Sequence, residues 1–375
     1  MKHGFVKVCA SAPSLRVGDV NYNAQKIVEE IESAAKAGVE ILAFPELSLC
    51  GYTCGDLLLN STLTDGCRCA LRRIAEATKG KKMLVFVGLP FEVQAGKLYN
   101  CAAAISDGAV CGLIPKSNVP NYGEFYEQRY FLPAPEEGTF VTLWEDERVY
   151  FGWDCIFTDE AHGAFVACEI CEDVWSPNPP SGSLAVTKAN IIVNLSASNE
   201  TVGKREYRKT LLAAQSGKCI CAYVYADAGI SESTSDMVFS GNHMIYENGT
   251  LLTEAEPFSE KSAIAEVDVG FLNAERRKNN TFHDEAGVDY YGEELGFVGD
   301  GDLTLRKFSR TPFVPEENVG ERAELILSMQ AHALARRLAH TNSKTAVIGV
   351  SGGLDSALAL LVTVRAFKAL GKDLK

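Results

Sequence analysis

The chain has 375 residues, of which 46% are hydrophobic and 23% charged, and its formal net charge at pH 7 is −13. This length is enough for two domains of roughly 100 to 200 residues each, and the acidic charge argues against a general binder of nucleic acid or anionic membranes. Apolar runs stay below the roughly 18 residues of a membrane span and the N-terminus lacks a signal-peptide core, so we expect a cytoplasmic protein without membrane or nucleic-acid partners.

Strands and helices alternate along the first part of the chain. In order, periodicity predicts a strand at 4–10, a helix at 23–38, a strand at 39–44, a helix at 63–77, a strand at 83–89 and a hairpin over 98–114. Further on it predicts strands at 150–155, 164–170 and 190–195, a helix at about 204–216, and a hairpin joining 243–246 to 251–252. Asp107-Gly108 and Asn248-Gly249 are the turn signals of the two hairpins. These elements indicate a mixed, layered α/β domain.

The pattern weakens between about Asp268 and Glu317, which is polar and irregular. Beyond it we predict a helix at 321–339, a strand at 345–350, the segment SGGLDS and a helix at 357–370. We therefore divide the chain into a first domain at 1–270, a linker at 271–317 and the start of a second domain at 318–375.

Three strand ends in the first domain carry reactive side chains, namely Glu46, Lys116 and Cys171. Such strand ends are where open α/β sheets usually have their sites. A Cys171 thiolate can attack an amide carbonyl, Glu46 can take the thiol proton and return one to the departing amine, and Lys116 can stabilise the oxyanion. Lys116 would also favour the thiolate. The three residues together predict cleavage of a carbon–nitrogen bond through a thioester.

Each of these residues alone is more often structural, and other readings exist. Cys168 and Cys171 form a C-x-x-C spacing, which leaves a metal or redox site as a non-enzymatic alternative. Paired ligands for a four-coordinate zinc are missing from the pattern, so we expect no metal site and assign Cys168 to the core. A Cys-His protease pairing with His162 or His243 is a further alternative. Twelve cysteines without a secretion signal indicate reduced thiols.

Three segments resemble the nitrilase, or carbon–nitrogen hydrolase, superfamily: FPELSLCGYTCGDL, IPKSNVPNYGEFYEQRYF and ACEICEDVWSP. The resemblance covers about residues 1–270. It implies a four-layer α-β-β-α sandwich, with Glu46 as general base, Lys116 as oxyanion stabiliser and Cys171 as nucleophile. It also implies a second active-site glutamate, for which Glu124 is the first choice and Glu127 the alternative.

The segment SGGLDS follows an apolar run and opens a helix, so its backbone N–H groups and hydroxyls could hold a pyrophosphate. It lacks the lysine of a Walker loop. It resembles the PP-loop of ATP pyrophosphatases, which implies binding of ATP with magnesium in a doubly wound α/β domain. The residues concerned are Ser351, Gly352, Gly353, Leu354, Asp355 and Ser356.

The combination of both motifs resembles the family of glutamine-dependent NAD synthetases. That resemblance implies release of ammonia from glutamine, without a cofactor, and ATP-dependent amidation of nicotinic acid adenine dinucleotide in a homo-oligomer. It implies Tyr122, Glu172, Ser198 and Lys204 as glutamine-binding residues. Because the chain ends soon after Ser356, we expect an incomplete synthetase domain that binds ATP weakly or not at all. A stand-alone nitrilase-type amidase or carbamoylase is the alternative enzyme.

Overall fold

A computed structural model of the chain describes residues 4–94, 96–145, 147–282, 287–314 and 317–374. The chain forms two compact units, which divide between Arg306 and Lys307. The described strands of the first unit are β1 (Phe5–Ala10), β2 (Ile41–Ala43), β3 (Leu84–Gln94), β4 (Lys97–Ser106), β5 (Ala109–Pro115), β6 (Thr139–Trp144), β7 (Glu147–Phe151), β8 (Cys155–Asp159), β9 (Ala164–Ile170), β10 (Ile191–Leu195), β11 (Ala222–Ala226), β12 (Met244–Glu247), β13 (Thr250–Glu254), β14 (Ala263–Asp268) and β15 (Tyr291–Glu294). Its described helices are α1 (Val20–Lys36), α2 (Ser61–Thr78), α3 (Pro180–Thr187), α4 (Lys204–Lys218) and α5 (Val269–Lys278).

The strands form two sheets with mixed strand directions. The eight-stranded sheet has the order β14-β1-β2-β3-β4-β5-β7-β6, and the seven-stranded sheet has the order β13-β12-β11-β10-β9-β8-β15. In the first sheet, β2 lies parallel to both β1 and β3. In the second, β10 lies parallel to both β9 and β11. Parallel neighbours end at the same edge, so each sheet collects several strand ends on one side.

Apolar side chains hold four layers together. The two sheets face each other across buried residues of both, among them Val8 and Phe86 from one sheet and Val166 and Val193 from the other. Helices α1 and α2 cover the outer face of the first sheet, and α3 and α4 cover that of the second. The expected α-β-β-α sandwich is therefore confirmed. Its amphipathic helices follow from the sequence, since the apolar residues of α1 recur at helical spacing.

Both predicted hairpins form at the predicted turns. Asp107 and Gly108 have φ values of 43° and 85°, and Asn248 and Gly249 have 45° and 82°. A positive φ at both central residues is the signature of a tight hairpin turn, which Asn-Gly and Asp-Gly adopt readily.

The strand predicted at 150–155 is wrong, because this stretch belongs to two strands in different sheets. β7 ends at Phe151 in the first sheet, and β8 begins at Cys155 in the second. Between them, Gly152 allows a close approach that a side chain would block, since a Cβ there would lie 2.3 Å from the Asp154 carboxylate. The apolar stretch at 150–155 is therefore the segment in which the chain passes from the first sheet to the second.

The region that we predicted as a linker contains regular structure. Helix α5 follows β14 directly, and β15 pairs in parallel with β8. The Arg306 guanidinium donates to the Glu247 carboxylate at 2.6 and 3.0 Å. Residues up to Arg306 thus belong to the first compact unit.

The second unit contains two described helices, α6 (Val319–His340) and α7 (Leu354–Ala369), which pack through Ala335, Leu338, Ala366 and Phe367. The strand predicted at 345–350 does not form. A strand needs a neighbour for its backbone N–H and C=O groups, and within the described part of the chain no strand pairs with this stretch. Val347 is accordingly 98% exposed.

Candidate active site

Two of the three predicted strand-end residues make direct contact. Glu46 follows β2 and Lys116 follows β5, and the Lys116 Nζ lies 2.6 Å from the Glu46 Oε1, with both side chains fully buried. The other Glu46 oxygen accepts a hydrogen bond from the backbone N–H of Ala197 at 3.0 Å. Cys171 follows β9, and both charged groups are close enough to shift the pKa of its thiol. The edges of two sheets therefore meet at these residues.

Glu127 is the second carboxylate of this cluster. It lies in a short 3-10 turn, and its Oε1 and Oε2 are 2.8 and 2.9 Å from the Lys116 Nζ. The Tyr52 hydroxyl donates to the Glu127 Oε1 at 2.7 Å. From β4, the Asn100 amide donates to Glu46 at 2.7 Å. The Lys116 ammonium is thus held between two carboxylates that neighbouring side chains orient in turn.

Glu124, our first choice for the second glutamate, lies elsewhere. Its side chain is exposed, and its carboxylate accepts a hydrogen bond from the Asn199 amide at 2.7 Å. Both glutamates belong to the same irregular segment, where periodicity does not indicate which side chain points inward. The geometry favours the alternative, Glu127.

Burial dominates the protonation of the cluster. It raises the pKa of Glu46 to about 7, assisted by the charge of Glu127 and opposed by Lys116. Burial alone would lower the pKa of Lys116, but the charges of Glu127 and Glu46 outweigh it and raise that pKa well above its usual range. Burial and Glu46 also raise the pKa of the Cys171 thiol, while Lys116 opposes them. Lys116 does lower the pKa of the thiol, as expected, but the other contributions outweigh it, so Cys171 is a neutral thiol near the Glu46 carboxyl group.

The backbone at Cys171 is held in an unusual conformation. Cys171 has a φ of 43°, which a residue with a side chain rarely adopts. It joins β9 to the 3-10 helix Cys171–Trp175. Its N–H donates to the Asn194 side-chain oxygen at 3.2 Å, and the Ser196 hydroxyl donates to the same oxygen at 2.6 Å. Strained residues of this kind persist where the surroundings over-determine them, often at functional sites.

Three of the predicted glutamine-binding residues lie near one another, since the Lys204 ammonium is 5.3 Å from the ring centre of Phe125, which packs edge-to-face on Tyr122. Tyr122 is exposed, and its hydroxyl donates to the Glu172 carboxylate at 2.8 Å. Lys204 begins α4, donates to the Asn199 side-chain oxygen at 2.5 Å, and is half-buried. Burial lowers the pKa of Lys204.

Ser198 is buried and fixed from two sides. Its N–H donates to the Asp227 Oδ1 at 2.8 Å, and its hydroxyl accepts from the Arg208 Nη1 at 3.3 Å. Arg208 is itself fully buried. The Ser198 backbone is therefore rigidly placed.

The other candidate chemistries find less support. Cys168 lies in the core between the sheets. The described residues include no group of three or more His, Cys, Asp or Glu side chains arranged to hold a metal. His243 accepts from the N–H of Asp227 at 3.1 Å and burial lowers its pKa to about 3, while His162 contacts Asp159.

In the second unit, the segment from Ser351 to Ser356 leads into α7. Gly352 has a φ of 89°, which glycine adopts without strain. The hydroxyls of Ser351 and Ser356 are 3.4 Å apart, and Ser356 donates to the Gly353 carbonyl at 3.0 Å. The segment is largely exposed, so its N–H groups and hydroxyls are accessible to an anion.

Several polar residues of the site escaped the sequence argument. They are Tyr52, Asn100, Asp173 and Asn194. For Asn100 and Asn194 a signal exists, because each is a lone amide inside an apolar strand, and buried amides need specific partners.

Comparison with protein families matches residues 7–277 to the family described as Carbon-nitrogen hydrolase. The chain belongs to this family. The glutamine-dependent NAD(+) synthetase of Mycobacterium tuberculosis is 36% identical over 99% of the chain, which covers 56% of that relative. The chain thus spans little more than half the length of the curated relatives it matches.

Solved structures agree on the fold. The glutamine-dependent NAD+ synthetase of Acinetobacter baumannii, determined with adenosine diphosphate, is 26% identical with a TM-score of 0.60, and the match covers 96% of this chain and 57% of that one. An amidase of the nitrilase superfamily from Nesterenkonia is 19% identical with a TM-score of 0.56, and the match covers 74% of this chain and 95% of that one. At that identity the amidase supports the fold alone. Among the described residues, no helix is long and apolar enough to cross a membrane.

Proposed function

We propose that the first unit hydrolyses glutamine, with Cys171 as nucleophile, and that the ammonia serves the ATP-dependent amidation of nicotinic acid adenine dinucleotide. One observation carries the first part: the Lys116 ammonium is held between the carboxylates of Glu46 and Glu127, next to a thiol at a strained strand end. A neutral thiol, a base with a pKa of about 7 and a fixed cation are the groups that amide cleavage requires.

In the proposed reaction, Glu46 takes the Cys171 proton as the sulfur attacks the side-chain amide carbon. Lys116 stabilises the oxyanion that forms. Glu46 then gives its proton to the nitrogen, the carbon–nitrogen bond breaks, and ammonia leaves behind a thioester. Glu46 next takes a proton from water as the water oxygen attacks the thioester carbon. The carbon–sulfur bond then breaks, Glu46 returns the proton to the sulfur, and glutamate leaves the regenerated Cys171 thiol. Glu127 keeps the ammonium in place throughout.

We assign the recognition of glutamine to the residues around Glu172. A carboxylate there can pair with the α-amino group, and the Lys204 ammonium can pair with the α-carboxylate. Tyr122 holds Glu172, and the rigid Ser198 segment supplies backbone groups. Lys204 lacks the bidentate geometry of an arginine, so it acts as a point charge.

The amidation is proposed for the longer protein to which the relatives correspond. The names of those relatives support it, as does the exposed segment from Ser351 to Ser356 at the start of α7. Ser351, Gly352, Gly353 and Ser356 would hold the pyrophosphate of ATP, with Leu354 and Asp355 completing the segment and magnesium supplying counter-charge. Bound ATP would activate the dinucleotide carboxylate. We further propose a homo-oligomer in the cytoplasm, where the free cysteines of the chain would stay reduced.

The direct test replaces the two cysteines of the C-x-x-C spacing in turn. Cys171→Ala should lower glutamine hydrolysis by at least about 1,000-fold, because it removes the nucleophile. Cys168→Ala should keep kcat within about threefold, since its thiol only packs in the core. Ammonia release from glutamine is the measurement, with circular dichroism as the check on folding.

Retained hydrolysis in Cys171→Ala would refute the proposal, and equal losses in both variants would support a site built from both cysteines.

A panel of simple amides and carbamoyl compounds tests the alternative of a stand-alone amidase, whose fold this chain shares with the Nesterenkonia amidase. Faster cleavage of one of them than of glutamine would favour that alternative. In a protein with the complete second domain, Cys171→Ala should still form NAD when free ammonia is supplied.

A further inference from the structure

Asp173 is a buried carboxylate close to the catalytic cluster, to which the mechanism assigns no step. It lies two residues after Cys171 in the 3-10 helix and is 1% exposed. Its Oδ2 accepts from the N–H of Ile170 at 2.9 Å and from the N–H of Ser117 at 3.4 Å. Its Oδ1 accepts from the N–H and the side-chain amide of Asn118, at 2.7 and 2.9 Å. Four donors therefore converge on one side chain.

These donors belong to the two segments that carry the nucleophile and the cation. Ile170 is the last residue of β9 and precedes Cys171, whereas Ser117 and Asn118 directly follow Lys116. β9 and β5 belong to different sheets. Apolar packing between sheets is non-directional, so it sets the distance between two strand ends only loosely. Hydrogen bonds to a charged acceptor are short and directional.

We propose that Asp173 is a positioning residue that sets the distance between the Cys171 thiol and the Lys116 ammonium. It bridges the two sheets at the point where their strand ends must cooperate. It also helps to keep Cys171 at its positive φ, together with the Asn194 side chain of the neighbouring parallel strand β10. This inference rests on the proposed amide hydrolysis, but the thiol–ammonium distance can be examined without that reaction.

The test is Asp173→Asn in the full chain. The amide keeps the size of the carboxylate but replaces one acceptor oxygen with an NH2 group, which then faces N–H donors. Lys116 should move relative to the thiol, and kcat for glutamine should fall about 10- to 100-fold, as small misplacements of reacting groups do. KM should change less than about threefold, because the Asp173 carboxylate bonds to Ile170, Ser117 and Asn118 and not to the side chains assigned to glutamine binding, its neighbour Glu172 included.

A second readout follows the thiol directly. Lys116 lowers the pKa of Cys171, so moving the ammonium away leaves less thiolate. Alkylation of Cys171 by iodoacetamide at a pH of about 8 should slow roughly tenfold. Mass spectrometry of the Cys171 peptide separates this signal from exposed Cys69. A purely structural role would lower the melting temperature without slowing alkylation.

Asp159→Asn is the matched control. Asp159 is also 1% exposed and accepts N–H groups from separate segments, those of His162 and Val298 at 3.2 and 3.0 Å. Among the described residues, its carboxylate contacts His162 and Val298 and not the catalytic cluster, so its variant should keep the alkylation rate and kcat. Asn118→Ala removes a single donor to Asp173, and it should slow alkylation about threefold even if Asp173→Asn fails to fold.

Unchanged alkylation in a folded Asp173→Asn, or in Asn118→Ala should the first variant not fold, would overturn the inference. So would equal slowing in Asp159→Asn. If the wild type cleaves another amide instead of glutamine, the proposed substrate fails while the alkylation result still decides the role of Asp173.

Discussion

Lys116 carries a positive charge in a fully buried position, next to two carboxylates. Burying an ion costs several kcal/mol unless partners compensate for its lost hydration. One carboxylate would neutralise Lys116, and the second leaves the trio with a net negative charge if all three ionise. That excess is why the charge of Glu127 raises the pKa of Glu46. Glu127 thereby both anchors the Lys116 ammonium and raises the pKa of Glu46.

Glu127→Gln should show whether Glu127 acts through Lys116 and the pKa of Glu46 or only supports the fold. We expect kcat to fall about 10- to 100-fold, because Lys116 loses one of its two anchors. The acid limb of the kcat profile should move to lower pH, since removal of the negative charge lowers the pKa of Glu46. Rates of glutamine hydrolysis measured across the neutral range test both expectations.

Glu124→Gln provides the comparison at the residue that the sequence favoured. Its exposed carboxylate contacts Asn199, so kcat should change less than about threefold. A larger loss in Glu124→Gln than in Glu127→Gln would return the second catalytic role to Glu124.

The sequence identified residues whose positions follow from regular structure. Glu46, Lys116 and Cys171 each follow an apolar strand, and strand ends meet at sheet edges. It could not choose between Glu124 and Glu127, because an irregular segment has no period. It missed Asp173 and Tyr52 for a related reason: their roles depend on partners far away in the sequence.

At the scale of elements, Gly88 in β3 lies against the turn that carries Glu46. A Cβ at Gly88 would lie 2.3 Å from the Leu47 nitrogen and 2.6 Å from the Pro45 carbonyl oxygen. The N–H of Leu49 donates to the Gly88 carbonyl at 3.0 Å, which keeps the two segments close. The position of Glu46 thus depends on a missing side chain in a neighbouring strand.

Gly88→Ala should therefore reduce both stability and activity. The contacts are with backbone atoms, so we expect a loss of about 1 to 3 kcal/mol in the free energy of unfolding, as overpacked sites show. Because the turn must move, kcat should also fall about tenfold or more. Urea unfolding and glutamine hydrolysis are the measurements.

Gly182→Ala in α3 is the control for a glycine replaced by alanine. Apart from the adjacent residues and the backbone of α3 itself, no atom lies within 4 Å of a Cβ placed at Gly182. In a helix, alanine is more stable than glycine by about 0.5 to 1 kcal/mol. This variant should be as stable as the wild type or more so. Wild-type activity in Gly88→Ala would show that the turn holds Glu46 by itself.

Local signals predicted the elements better than their partners. Both hairpins and most helices form where turn residues and helical periodicity place them. The run at 150–155 was misjudged because a crossing between sheets interrupts it, and pairing is decided by distant segments. The same reason explains why the edge strands β14 and β15 escaped prediction.

At the scale of the whole molecule, the family resemblance predicted the sandwich that the two sheets and four covering helices form. The sequence did not show that residues 287–306 pack onto the first unit. Their contacts, such as that of the Gly299 N–H with Glu40 at 2.6 Å, join segments far apart in the chain. The polar composition of this region suggested a linker. Hydropathy reports only the polarity of side chains, so it cannot show that backbone N–H groups bond to buried carboxylates.

The first unit also contains several buried carboxylates whose protonation links its stability to pH. Burial raises the pKa of Glu46 and of Glu169 to about 7, and that of Asp227 to about 6. In the unfolded chain these groups titrate near pH 4. Between about pH 4 and 7 these three groups therefore bind more protons in the folded state than in the unfolded state, so their contribution to stability should fall as the pH rises.

Glu169→Gln isolates one of these groups without touching Glu46. The stabilising contribution of the protonated Glu169 is complete below the unfolded pKa and is lost as the pH rises through about 7. The glutamine does not titrate, so the free energy of unfolding of the wild type relative to the variant should fall by about 2 to 3 kcal/mol between about pH 5 and 8. All three tryptophans, Trp144, Trp153 and Trp175, belong to the first unit, so their fluorescence during urea unfolding follows the relevant transition. Parallel pH dependences in the two proteins would mean that Tyr223 and the N–H of Ser181, which both donate to this carboxylate, keep it ionised in the folded state.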